Sequence, residues 1–246
     1  MSMTKALTLV LFLVVAVFPD AGAQQVESDR FETAAGPLSV QFLGHGSLAF
    51  QFADKVIYVD PYSEVAEYSK LPKADIVFIT HEHKDHFDPK ALGHIVTDKT
   101  LVVLTETCGR QYQEGLVMHN GDLKTIQGIT VEAVPAYNIV HLRPSGFPYH
   151  AKSFGNGYVF TFGEKRVYVA GDTENIPEMK DLKNIDIAFL PMNLPYTMTP
   201  EMVADAARII RPRILYPYHY GETDVTQLIG LLKDEKSIEV RIRNLK

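Results

Sequence analysis

His81, His83 and His86 fall within six positions, beside Asp85, in a chain with only nine histidines among 246 residues. Imidazole and carboxylate groups are what proteins offer divalent cations, and a His-x-His-x-Asp-His run has no packing role that explains such crowding. In extended chain, alternate side chains share a face, so His81 and His83 can point at one ion. Where the chain turns, Asp85 and His86 can address a second ion. Glu82 and Lys84 alternate away from these donors and read as solvent-facing spacers. Two donors per ion leave both coordination shells incomplete, so the rest must come from other segments. Asp172, in Gly171-Asp172-Thr173, follows the apolar run Val167 to Ala170, where a carboxylate can bridge two cations. His219 follows Ile214 to Tyr218 in the same way, and the last ligand is either His150 or His141. Taken singly, His219 or His150 is more simply a hydrogen-bonded histidine, and Asp172 a turn or cap residue. The dense cluster tips the balance toward metal.

Such donors need rigid strand ends, and the sequence supplies strands throughout. Short β-branched or aromatic runs separated by Gly, Pro, Asn and Asp predict sheets built largely from hairpins. They lie near Leu38 to Phe42, Leu48 to Phe52, Val56 to Val59, Ile76 to Thr80, Leu101 to Leu104, Ile129 to Val134, Tyr158 to Phe162, Arg166 to Ala170, Ile187 to Leu190, Ile214 to Tyr216 and Ile238 to Ile242. The run ending at Thr80 puts the histidine cluster at a strand-to-loop junction, a usual place for chemistry on a rigid scaffold. Pro200 after Thr199, with Val203, Ala206, Ala207 and Ile210 at helical spacing, predicts one helix. Others are expected over Val225 to Lys233, Pro89 to Val96 and Cys108 to Glu114. Tyr137 to Ser153 has no clear period and carries Pro144, Gly146 and Pro148 among aromatics, as a loop walling a pocket would.

Lys5, the apolar run Ala6 to Phe18 and Ala21-Gly22-Ala23 form a signal-peptide pattern over residues 1–23. The apolar run is shorter than the ~20 residues a membrane-spanning helix needs, so no stable span is expected after its removal. Residues 24–246 then form one domain, periplasmic or secreted, since neither an internal repeat nor a linker interrupts them. The net charge is −6, and removing Lys5 with Asp20 leaves it unchanged. With no run of Lys and Arg, nucleic acid is not an expected partner and a small molecule is. Oligomeric state is not legible. Cys108 is the single cysteine and reads as a buried small residue rather than a nucleophile, so core and metal must hold the fold without a disulfide.

The His81, His83, Asp85, His86 motif resembles the hallmark of the metallo-β-lactamase superfamily. Further segments carry the resemblance over most of the mature chain: GHGSLAF at Gly44, VDPY at Val59, VPAYN at Val134, AGDTE at Ala170, TMTPEMVADAARIIRP at Thr197 and YPYHYG at Tyr216. Among the superfamily's branches it is most similar to the one with L-ascorbate-6-phosphate lactonase and related hydrolases. The resemblance implies that His81, His83 and His150 hold one metal, that Asp85, His86 and His219 hold the other, and that Asp172 bridges. It prefers His150 to His141 through the segment YHAKSFGNGYVF, although Ala151 stands where Pro is common and the residues between Asn138 and His150 look like an insertion. It also implies an α+β fold, a four-layer αββα sandwich of two mixed β-sheets with helices on both outer faces and the site at one edge. Asp60, ending the VIYVD run, would accept a hydrogen bond from a ligating imidazole. His45 either approaches the site from GHGS or merely forms a turn.

Two cations about 3.5–4 Å apart can share a water, lower its pKa toward neutrality and present hydroxide to a carbonyl or phosphoryl centre. Asp85 and Asp172 are the expected catalytic carboxylates, fixing geometry and taking up the proton. An all-N/O donor set suits zinc, with manganese or iron also accommodated. Because the imidazoles must be neutral to bind, metal affinity is expected to fall as pH drops through the histidine range. The implied function is an exported metal-dependent hydrolase of a lactone or other ester. The alternatives are a phosphodiesterase for a small or lipid substrate and a non-catalytic exported metal-binding protein. Arg143 and Lys152, flanking His150, either receive an anionic group or are surface cations.

Overall fold

Leu48, Phe50 and Phe52 of one strand face inward to a common core, while Ala49 between them packs on the opposite side with Tyr58 and Val77. Both faces of the central strands are thus covered, which is why they read as continuous apolar runs rather than as clean alternation. The computed structural model describes residues 26–246; the leader expected over residues 1–23 lies outside them. One sheet holds β1 (Ser28–Phe31), β2 (Leu38–Gly44), β3 (Ser47–Phe52), β4 (Lys55–Val59), β5 (Ile76–Phe78), β6 (Leu101–Leu104) and β7 (Leu116–Val117), in that order. The second holds β8 (Leu123–Ile126), β9 (Ile129–Ala136), β10 (Gly155–Phe162), β11 (Lys165–Val169), β12 (Ile187–Pro191), β13 (Ile214–Tyr218) and β14 (Glu239–Val240), again in chain order across the sheet.

Each sheet starts antiparallel and ends parallel. Pairing is antiparallel from β1 to β4 and from β8 to β11, then parallel from β4 to β7 and from β11 to β14. The two halves therefore repeat one topology without a repeat in sequence. Half of the pairings are parallel, more than the hairpin-rich expectation. The crossovers bring helices: α1 (Pro89–Ile95) and α2 (Glu106–Gly109) in the first half, α3 (Pro200–Ile210) and α4 (Thr226–Leu231) in the second.

The inter-sheet core is largely aromatic. Phe78 and Phe160 meet edge to face at 4.8 Å, and Phe189 stacks on Tyr216 at 4.9 Å. Each such buried ring contributes roughly 1.5–3 kcal/mol by leaving water. Ala91, Leu92 and Ile95 of α1 seal the outer face of the first sheet with Tyr58, Val77 and Ile79. Val203, Ala206, Ala207 and Ile210 of α3 seal that of the second with Tyr168, Ala188 and Leu190. The layers run helix, sheet, sheet, helix, as the α+β sandwich requires. Among the described residues, no helix is long and apolar enough to cross a membrane.

Local chemistry explains where elements start. Thr199 Oγ1 accepts from the Met202 N–H and Pro200 takes the first turn of α3. The helix expected over Cys108 to Glu114 lies earlier, at Glu106–Gly109, because Thr105 Oγ1 caps it by accepting from the Cys108 N–H at 3.3 Å. The strand expected over Ile238 to Ile242 shortens to Glu239–Val240. Arg241 and Arg243 turn instead to Asp29 on β1, at 3.2 and 2.8 Å. Strands β1, β7 and β8 escape the sequence pattern because they are short and Ile126 alone among their residues is buried. Cys108 is fully buried, which pushes its thiol up to about 11 and leaves it inert at neutral pH.

Candidate metal centre

All the predicted donors come together at one edge of the sandwich. Asp60, Thr80-His81, Asp172 and His219 follow the carboxyl ends of β4, β5, β11 and β13, and His45 sits in the β2–β3 turn at the same edge. The backbone turns sharply there: His45, Asp60 and His219 have φ of 52°, 46° and 47°, in the left-handed region that L-residues avoid. Gly171, at φ 66°, could not be replaced without crowding, since an added Cβ would stand 2.9 Å from the Asn156 carbonyl oxygen. At Gly46 an added Cβ would press the His86 ring at 3.0 Å.

Two groups of donors face each other across Asp172. In the first, His83 Nδ1 lies 3.1 Å from His81 Nε2 and 3.2 Å from His150 Nε2. In the second, Asp85 Oδ2 lies 3.0 Å from His45 Nε2, 3.5 Å from His219 Nε2 and 3.7 Å from His86 Nε2. Asp172 spans the two, with Oδ2 at 3.3 Å from His150 Nε2 and 3.6 Å from His219 Nε2, and Oδ1 at 3.5 Å from His86 Nε2. His141 takes no part; its Nδ1 lies 2.8 Å from the buried Glu174 carboxylate. His150, not His141, is thus the histidine brought to the cluster. His45, left open between site and turn, does both.

The chemistry of these donors fits a metal. His86 Nε2, His219 Nε2 and Asp172 Oδ1 are buried with no hydrogen-bond partner, yet aim at one space. Such atoms are costly unless a cation satisfies them. Three overlapping sets of imidazole and carboxylate atoms, each within 4.8 Å, have the composition to bind metal: His81, His83 and His150; His81, His86 and Asp172; and His45, Asp85, His86 and His219.

Charge in the centre is divided. Burial and neighbouring imidazoles hold His81 and His83 below the ordinary histidine range, so both are neutral donors at pH 7. Burial alone would lower His86 too, but Asp172, Asp60 and Asp85 outweigh it and raise this imidazole to about 10. Burial works to raise Asp172, and His219, His86 and His150 overcome it, keeping the carboxylate ionised well below its usual range.

Four of the imidazoles, His81, His86, His150 and His219, are aimed by a partner on the far nitrogen. His86 Nδ1 donates to Asp60 Oδ2 at 2.7 Å; the same oxygen accepts from Thr80 Oγ1 at 2.6 Å. Thr80 Oγ1 lies 2.9 Å from His81 Nδ1, so one buried carboxylate orients two rings. Asn138 Oδ1 accepts from His150 Nδ1 at 2.7 Å and from the His150 N–H at 2.9 Å. Asn193 places its amide 3.3 Å from His219 Nδ1. Asp60 was legible at the end of VIYVD; Thr80, Asn138 and Asn193 were not, although Asn138 closes the VPAYN segment. Removing a partner of this kind typically costs 10–100-fold in metal affinity or activity. Asp60→Asn is therefore expected to weaken metal binding by roughly that factor, as read by competition with a chromophoric chelator. An unchanged affinity would refute the orienting role.

The fold and the site define a class. The Beta-lactamase superfamily domain matches residues 39–219, and the chain belongs to that superfamily. Among relatives, a UPF0173 metal-dependent hydrolase of Pelotomaculum thermopropionicum is 26% identical over 221 residues, covering 83% of this chain and 96% of its own. One of Natranaerobius thermophilus is 30% identical over 194 residues, covering 75% and 84%. The crystal structure of a proposed metal-dependent hydrolase from Parabacteroides distasonis is 49% identical, with a TM-score of 0.86, covering 90% of this chain and 100% of that one. Igni18, a metallo hydrolase of Ignicoccus hospitalis, shares the fold at 20% identity, with a TM-score of 0.71 and coverage of 85% and 95%.

Proposed function

We propose that this protein is an exported hydrolase with a two-metal centre that cleaves a lactone or another ester of a small molecule. The observation that carries it is Asp172, whose two oxygens face imidazoles of both donor groups, as a carboxylate shared by two cations must. His81, His83 and His150 would hold one ion, and Asp85, His86 and His219 the other, with zinc the best match to this N/O set. When bound, the ions supply Lewis-acid polarisation and an activated water. The partly exposed His45 Nε2–H donates to Asp85 Oδ2 at 3.0 Å and helps keep this carboxylate ionised beside the reacting centre, where it can orient the attacking water. The names of the relatives support hydrolysis. The leader pattern over residues 1–23 supports export, and the lactone preference rests on sequence resemblance alone.

A panel of lactone, thioester and phosphodiester substrates tests this with zinc- and manganese-loaded protein, using His83→Ala as control. Ester or lactone turnover, lost in the variant, is the expected outcome. Phosphodiester turnover alone would select a phosphodiesterase. Tight metal binding with no turnover across the panel would select a metal-binding protein instead.

A further inference from the structure

Arg143 stands at the mouth of a cavity of about 180 Å³, whose floor includes His83, His150 and Asp172 and whose walls include Tyr149 and Phe154. It is an exposed side chain, but it is not loose. Its backbone N–H donates to the Phe147 carbonyl at 2.7 Å, and its carbonyl accepts from Gly146 at 2.8 Å, closing a tight turn through Pro144. Its guanidinium donates from Nη2 to the Tyr149 carbonyl at 3.1 Å and lies 5.1 Å from the centre of the Tyr149 ring. The base of the loop is clamped as well. Glu174 accepts the N–H groups of Ile139, Val140 and His141, each at 2.7 Å.

What this arginine lacks is an anion. No carboxylate of the described residues pairs with it, whereas Lys152, its equal in the sequence, is taken by Glu178 at 2.7 Å. Besides the Tyr149 carbonyl, its polar neighbour in the cavity is His83 Nε2, at 3.5 Å from Nη2. His83 turns Nδ1 into the cluster, and a neutral imidazole with one nitrogen committed as a donor atom carries its hydrogen on the other. Nε2 is then N–H, which cannot accept from Arg143. With Nδ1 taken, the His83 Nε2–H and the Nη2–H not given to the Tyr149 carbonyl stand 3.5 Å apart at the cavity, each without an acceptor among the described residues.

We propose that Arg143 Nη2–H and His83 Nε2–H form an anion subsite beside the metal centre, and that the substrate carries a carboxylate or phosphate next to the bond cleaved. The second clause rests on the hydrolase reading; the subsite does not. Arginine's planar fork suits either oxyanion.

Calorimetry of metal-loaded protein with phenylphosphonate and with benzoate tests the subsite and tells the two anions apart. Wild type is expected to bind at least one, Arg143→Ala to bind it about 10–100-fold more weakly, Arg143→Lys to recover only part, and Lys152→Ala to match wild type. Kinetics add a second arm: the preference for mono-4-nitrophenyl succinate over neutral 4-nitrophenyl acetate should fall about tenfold or more in Arg143→Ala. No anion binding by wild type, equal binding by Arg143→Ala, or loss of metal from that variant would each overturn the subsite. Turnover of neither ester with anion binding intact upholds the subsite and counts against the hydrolase instead.

Discussion

Asp172→Ala is expected to lower kcat/KM by roughly 4 kcal/mol of transition-state stabilisation, about a thousandfold, and to reduce bound metal from two equivalents to one or none. This carboxylate touches three of the imidazoles, and its Oδ1 is buried with nothing else to bind. Without it the two donor groups have no shared carboxylate, and the imidazoles it faces lose the charge that would offset the proposed pair of cations. Elemental analysis with steady-state kinetics on the best substrate of the panel measures both effects. More than about a tenth of wild-type activity with both metals retained would refute the bridging role, since several kcal/mol are asked of it.

Withdrawing the metals should destabilise the protein and do so in a pH-dependent way. At free metal about 100 times Kd, binding contributes about 2.7 kcal/mol, which for a chain of this size corresponds to roughly 5–11 °C in Tm. His86 sets the pH dependence. Its metal-free value of about 10 lies above the ~6.5 of an unfolded histidine. Its protonated form therefore stabilises the metal-free fold fully below about pH 6.5, and that contribution is lost as pH rises through about 10. A metal must displace the same proton, so affinity moves the other way, rising about tenfold per pH unit toward about pH 10. Chelator competition between about pH 7 and pH 9, together with calorimetry in buffers of different ionisation enthalpy, would register the released proton. A flat affinity over that range would sink the assignment. The residues alone place this window in the ordinary histidine range. Three carboxylates around His86 extend it upward, while burial leaves His81 and His83 already neutral.

Much of the frame was legible because strand-forming runs here are apolar on both faces and bounded by turn residues, as at Leu101–Leu104, which the pattern places residue for residue. Strand β8 was not: only Ile126 of its four residues is buried, so no periodic signal survives. Likewise His81, His83, Asp85 and His86 announce themselves by crowding, whereas Asn138 looks like any loop asparagine until its side chain is seen aiming His150.

The chain's residues determined on their own which donors exist and that they lie at the ends of strands, which follow from side-chain type and local periodicity; the sandwich came from the family resemblance. The tertiary structure alone brought His150 beside His83 while leaving His141 on Glu174, drew His45 to Asp85, and separated Arg143 from Lys152. The reason is physical: each of those outcomes depends on which carboxylate reaches the side chain. Glu174 captures His141 and Glu178 captures Lys152, through contacts spanning 33 and 26 residues that no local pattern records, and Arg143 is left facing the cavity.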